Sequence, residues 1–372
     1  MKLKLGIFLS LLISAVGFFL IARFRKQTAE LIWPFKTGPS APVAGIASLS
    51  GEKTGNRESA DIQFSAWLPW WSEDEVAASL KVAALYLKTI LPVWYRLEPD
   101  GKIREIEVAN KEVVLAIAAD NRAEILPSLA NDFDGRRVAK LLADGSLRES
   151  LLKDLVRIAK DNQYRGWDLD WEGLKPADKD AYSRFVADLA SVLHQNGLLL
   201  SVSVYAQTGE AADQWEGLAG QDYQALAESA DQLRIMAYDF HNENSRPGPV
   251  TPLDKLEAVI DFNLKNLPRE KIVLGIPTYG YDWGPDKGEP VEYRQARERL
   301  SQFQGTTNRD PLSSSLVGRY RLDGVGHEIW FEDRESISRK LEIAKKQGIR
   351  QFCFWRLGGE DSRLWSQALG QN

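Results

Sequence analysis

Eight short apolar runs, each followed by a stretch of helical periodicity, constrain this chain more than any other feature. The runs are Ile62–Leu68, Leu85–Val93, Val113–Ala119, Gly166–Glu172, Leu198–Ala206, Gln232–Asp239, Lys271–Tyr279 and Arg350–Trp355. Several are apolar almost throughout, as strands of a parallel sheet covered on both faces must be. Amphipathic stretches lie between them, among them Leu147–Asn162, Lys179–Gln195, Leu253–Asn266 and Glu335–Lys346. Strands alternating with helices in this number predict an α/β fold, a (β/α)8 TIM barrel over 61–372. One interval, 282–330, breaks the alternation between the seventh and eighth strands and is too long for a plain loop. Asp323-Gly324 within it is a hairpin turn signal. The interval reads as a small, partly β insertion beside the barrel mouth.

The run Gly166-Trp167-Asp168-Leu169-Asp170-Trp171-Glu172 carries the chemistry. On a strand with period 2, Asp168, Asp170 and Glu172 share one face, and Leu169 and Trp171 the other. Crowded acids repel, and burial raises at least one pKa, so ordinary packing gives no reason for the pattern. A carboxyl held protonated beside an ionised neighbour is an acid–base device. A calcium-binding acidic turn or a solvated edge strand is the structural alternative. In a barrel the strand ends line the mouth, so Glu172 is expected outermost and Asp168 deepest. Asp239 is the nearest candidate for a second carboxylate. Three scattered histidines have no paired spacing and predict no metal site. Nothing in the sequence calls for a cofactor.

The amino terminus has its own pattern. After Met1-Lys2-Leu3-Lys4 no charge appears from Leu5 to Ala22, and Arg23, Arg25 and Lys26 follow. Such a length is just enough for a transmembrane helix, so 1–26 reads as an N-terminal membrane anchor. A cleaved signal peptide is the rival reading, with Ala15-Val16-Gly17 as a weak site. Residues 27–60, rich in Ala, Gly, Ser and Pro, read as a linker. Anchor and linker together imply a catalytic body held at the cell surface, outside the cytoplasm. A net charge of −5, with no basic run interleaved with aromatics, argues against nucleic acid. The single cysteine, Cys353, excludes an internal disulfide. Among twelve tryptophans, Trp70, Trp71, Trp94, Trp215 and Trp283 are candidate sugar platforms, about half of them expected in the core.

The acidic run resembles the strand motif of glycoside hydrolase family 18, the chitinase family. Met236-Ala237-Tyr238-Asp239 resembles that family's sixth-strand motif. Pro247–Leu253, Gly275–Trp283 and Phe354–Asp361 resemble its bacterial spore-germination and cell-wall branch. The resemblance covers roughly Ile62 to Trp365 and implies a β-N-acetylglucosaminidase in which the substrate's own acetamido group is the nucleophile. By position, Glu172 would protonate the glycosidic oxygen, Asp170 would hold the acetamido N–H, and Asp168 would tune Asp170. Tyr238 would hydrogen-bond the acetamido oxygen, and Trp355 would floor the sugar. Asp239, Tyr279, Tyr281, Trp283 and Trp70 are the further substrate-binding candidates. The implied partner is a GlcNAc-containing polysaccharide, peptidoglycan ahead of chitin. One departure stands out: Arg165 occupies the place of an Asp that usually supports this strand. It keeps open a non-hydrolytic, lectin-like protein on the same barrel.

Overall fold

The computed structural model describes residues 62–210 and 216–369. The larger of two sheets has eleven strands: β1 (Gln63–Leu68), β2 (Leu87–Pro92), β3 (Tyr95–Leu97), β4 (Ile103–Glu105), β5 (Glu124–Ile125), β6 (Ser128–Ala130), β7 (Gly166–Asp170), β8 (Leu199–Tyr205), β9 (Gln232–Met236), β10 (Ile272–Pro277) and one more, Gln351–Trp355, labelled β16 below. All pairings are parallel except the β3–β4 hairpin. The strands curl around an interior that holds Trp67, Leu91, Val273 and Cys353, while helices cover the outside.

The architecture corrects the expected barrel in two respects and has no membrane span among the described residues. A closed eight-stranded ladder does not form: the hydrogen-bonded order runs β4-β3-β6-β7-β8-β9-β10-β16-β1-β2-β5, an open, barrel-like sheet. The interruptions fall where β2 ends at Pro92 and where Pro127 separates β5 from β6. Proline has no N–H to give a ladder, which accounts for breaks at both places. Second, Val113–Ala119 is no strand but the middle of a helix, Lys111–Asn121, burying Val114 and Ala118 one turn apart. No helix among the described residues is long and apolar enough to cross a membrane. The transmembrane helix expected in 1–26 and the linker 27–60 lie outside the described residues.

The interval after β10 folds as a second sheet of five antiparallel strands: β11 (Tyr279–Trp283), β12 (Gly288–Glu292), β13 (Thr306–Arg309), β14 (Leu316–Leu322) and β15 (Val325–Phe331), in the order β12-β11-β15-β14-β13. Helix Tyr293–Gln302 packs on it through Ala296 and Leu300. The sheet starts at Tyr279, three residues ahead of the expected boundary. Asp323 and Gly324 turn β14 into β15 with φ of 51° and 82°. Two successive positive φ values are what a tight hairpin with the strands' own twist requires. Tyr279, Tyr281 and Trp283 thereby join Val250 in one cluster, against which Tyr238, Trp330 and Trp355 pack.

Candidate active site

Strand β7 divides its side chains as its alternation predicts. Trp167 and Leu169 face the helices, and Trp167 Nε1 donates to the Leu155 carbonyl at 2.9 Å. Asp168 and Asp170 face the interior. The paired strand ends at Asp170, so Trp171 and Glu172 lie beyond the last ladder position and not on the strand expected to 172. Trp171 stacks on Phe185 at 5.2 Å and fixes that exit.

Asp168 is fully buried and saturated with donors. Trp67 Nε1 (3.1 Å), Ser128 Oγ (2.8 Å) and Ser201 Oγ (2.8 Å) donate to it, and Ser203 Oγ lies at 3.3 Å. Arg234 Nε stands 3.5 Å from it and is itself buried, donating to Ser201 Oγ, while the rest of the guanidinium donates to Ser65 Oγ and Gln232 Oε1. A buried carboxyl must have its oxygens met by donors in this way, since unpaired burial is costly. Asp168 is therefore an anchor with no valence left for substrate.

Asp170 sits one pleat higher. Burial, then the neighbouring Glu172 and Asp168, push its pKa well above the usual carboxylate range. Burial also lifts Glu172, to about 7, against a hydrogen bond from Tyr205 that lowers it; Asp239 adds to the rise. Asp239 accepts from the Tyr279 and Tyr281 hydroxyls, the latter at 2.9 Å, and burial still raises it to about 6. Four carboxyls thus stand in four settings: one locked, one pushed by burial toward its protonated form, one held by two phenols, one raised to about 7 at the rim.

Glu172 is held by its backbone. The buried Asn131 side chain accepts from Glu172 N at 2.9 Å and donates to Glu172 O at 2.7 Å, replacing the ladder that stopped two residues earlier. Tyr205 OH also accepts from Gly173 N at 3.1 Å. Asn131→Ala should release the acid from its orientation and lower kcat roughly tenfold with KM unchanged. Steady-state kinetics would show a rise in KM instead if Asn131 served binding alone.

The other candidates converge on the same mouth. Tyr238 lies beside Tyr279 with ring centroids 6.4 Å apart, and burial raises its pKa. Trp355 meets Trp67 at 5.9 Å and Trp71 at 6.2 Å, edge to face. Trp70 is half-buried beneath the Arg96 guanidinium, while Trp71 is 49% exposed. Trp283 is buried and stacked at a tilt on Tyr281, and Trp94 belongs to the core outside the sheet. Trp215 lies outside the described residues. Space around Tyr238 is tight: a Cβ on Gly275 would stand 3.0 Å from its Cε1 and 2.6 Å from the Ile235 carbonyl oxygen. Gly275→Ala should therefore displace the phenol, lowering kcat about tenfold at a cost of about 1–3 kcal/mol in stability. Kinetics together with thermal melts would check both.

Arg165 stands at the opposite end of β7, bonded to the Gly197 carbonyl and paired with Glu124 at the half-exposed surface. The change from Asp leaves the acid cluster untouched. Among the described residues no group of His, Cys, Asp and Glu could hold a metal ion. Cys353 is buried, and burial pushes its thiol up to about 12, which suits a core residue.

The chain is similar to several known proteins. The chain is 28% identical over 284 residues to the putative sporulation-specific glycosylase YdhD of Bacillus subtilis, covering 74% of this chain and 66% of that protein. It is 26% identical over 336 residues to the cortical fragment-lytic enzyme of the same organism, covering 88% and 74%. The spore cortex-lytic enzyme SleL of Bacillus megaterium superposes with a TM-score of 0.73 at 25% identity, over 82% of this chain and 72% of that one. A chitinase from Chromobacterium violaceum gives 0.76 at 25% identity, over 84% and 100%. Residues 70–360 match the model of glycosyl hydrolases family 18, and the chain belongs to that family.

Proposed function

We propose that this protein is a glycosidase that cuts β-linked N-acetylglucosamine polymers, peptidoglycan ahead of chitin, outside the cytoplasm, with the substrate's acetamido group as nucleophile. The observation that carries the reading is the absence of a free ionised carboxylate among the four acids at the mouth. A retaining enzyme with two carboxylates needs one ionised at the anomeric carbon. Here Asp168 is saturated, Asp170 is pushed toward its protonated form by burial, and Asp239 is occupied by Tyr279 and Tyr281. This setting supports an attack by the substrate's own acetamido oxygen.

In this reading Glu172 gives its proton to the glycosidic oxygen as the bond breaks. The acetamido oxygen closes on the anomeric carbon, and an oxazolinium ion forms. Asp170, having released its proton to solvent as substrate binds, accepts a hydrogen bond from the acetamido N–H and sets its charge against the positive charge that grows beside it. Tyr238 donates to the acetamido oxygen, and Trp355 lies under the ring. Water then opens the oxazolinium with Glu172 as base, which retains the anomeric configuration. Preference for peptidoglycan rests on the names of the Bacillus relatives, which include cortex-lytic enzymes. A non-hydrolytic lectin would be expected to lack the acid, and Glu172 is present with a pKa suited to its task.

The test is to incubate the full chain with purified peptidoglycan and with chitin oligomers and identify released ends by mass spectrometry. New GlcNAc reducing ends are expected from peptidoglycan. Binding to either polymer with no new ends would overturn hydrolysis, and ends from chitin alone would overturn the choice of polymer.

A further inference from the structure

The mouth continues past Trp283 into a second cleft that the acid cluster does not use. Its volume is about 500 Å³, and Trp283, Arg319, Arg321, His327 and Glu328 line it. Trp283 is its common wall with the candidate active site, since Tyr281 lies between Trp283 and Asp239. Residues two apart on a strand are about 7 Å apart, so Trp283, at the edge of this cleft, stands about that far along β11 from the tyrosine that bonds Asp239.

The far wall is rigid. Asp282, buried, accepts from the Tyr320 hydroxyl and Arg299 and bonds His327 Nδ1 at 3.1 Å. Phe303, Tyr320 and His327 form one stack, with centroids 5.3 Å and then 4.8 Å apart. With Nδ1 turned to Asp282, Nε2 is the nitrogen left toward Gly284, another residue of the lining. Register places Trp283 opposite Glu328 and Glu328 opposite Arg319, and those two side chains neutralise each other at 2.9 Å. Arg321 is exposed beside them, and among the described residues its guanidinium bonds the Gly324 carbonyl and no carboxylate. The cleft therefore has an uncompensated guanidinium and an oriented imidazole, next to an ion pair able to meet amide groups.

Resting on the peptidoglycan reading above, we propose that this cleft binds a carboxylate presented on the 3-O-lactyl arm of the sugar next to the scissile GlcNAc. GlcNAc and the lactyl-bearing sugar alternate in peptidoglycan, so both neighbours of a GlcNAc in the reaction pocket carry that group. The assignment therefore holds whichever way the strand runs. The ligand carboxylate has two mutually exclusive sources: the lactyl group itself on a sugar without a peptide, or, where the lactyl carboxyl is amide-linked to a stem peptide, an acidic residue of that stem. Arginine suits either, because its planar fork matches a carboxylate.

The experiment measures kcat/KM for the full chain on three substrates: chitin oligomers, amidase-stripped glycan strands and intact peptide-bearing strands. Arg321→Ala should lower the ratio of carboxylate-bearing to chitin activity roughly five- to twentyfold, Arg321→Glu should lower it further, and His327→Phe, which keeps the ring stack, should lower it in the same sense. A fall on stripped strands alone assigns the lactyl carboxylate, which is free only there; a fall on intact strands alone assigns the acidic residues of the stem; a fall on both assigns a cleft that takes either. Ratios within twofold of wild type for all three variants would overturn the cleft's role while leaving hydrolysis intact. A wild type that cuts chitin oligomers and neither glycan strand would remove the peptidoglycan reading and this assignment together.

Discussion

Glu172→Gln is expected to lower kcat on a GlcNAc polymer by roughly 10²- to 10⁴-fold, the range general acid catalysis contributes, with KM little changed. Gln keeps the shape and the contact with Tyr205 but has no proton to give. The wild-type pH profile should carry the same information. Burial holds the Glu172 carboxyl protonated up to about 7, so kcat should be level on the acid side and fall through that pH. Stability should fall with rising pH too, but over the range below the one in which the rate falls. The native state keeps a proton that the unfolded chain releases near 4.5, so stability declines as pH rises from there and the loss is complete above about 7. The size is about 3 kcal/mol as an upper figure. Gln is free of that cost, so the variant should melt higher than wild type at pH 8 and equally at pH 4. An unchanged turnover in the variant, or an alkaline limb starting near pH 4.5 in wild type, would end the assignment of Glu172 as the acid.

The acid cluster was legible because its signal is local. Asp168, Leu169 and Asp170 alternate within one short strand, and alternation is what a strand converts directly into two faces. Strand β8 bears a similar pattern, Ser201, Ser203 and Tyr205 at i, i+2 and i+4, and these point at Asp168, Asp168 and Glu172. That signal was available, but hydroxyls among valines read as ordinary strand residues unless a buried acid is known to stand opposite. Arg234 and Asn131 were not legible. Each is a lone polar residue on or just beyond a strand, and only the parallel register of β6, β7, β8 and β9 brings them to the acids. The misread third strand has a physical cause as well. Val113–Ala119 is apolar enough for a buried strand, yet alanines favour helix and Val114 and Ala118 bury at helical spacing. The true segment, Glu124 to Ala130, is marked by Pro127, which argues against a central strand and here splits one in two.

Asp170→Asn separates a chemical role for the second acid from a structural one. Asn preserves the volume and can still accept the acetamido N–H, but it cannot set a negative charge against the cation that forms beside it. A preorganised charge of this kind contributes roughly 10²- to 10³-fold, so kcat should fall by that factor while the fall above pH 7 set by Glu172 persists. The fold should gain from the change. Burial, Glu172 and Asp168 all raise the Asp170 pKa, so the native state binds a proton the unfolded chain gives up, and stability drops as pH rises through the ordinary carboxylate range and beyond. Removing the group that resists ionisation should raise the melting temperature at pH 7 and leave it unchanged at pH 3. A residue kept only for packing or hydrogen bonding predicts the reverse, a variant that melts lower and loses activity in proportion to the protein unfolded. Substrate chemistry gives the second readout. A β-linked glucose oligomer lacks the acetamido group and should be inert to wild type and variant alike. Its hydrolysis by wild type at a rate near that of the GlcNAc oligomer would remove the substrate-assisted step, and with it the task assigned to Asp170.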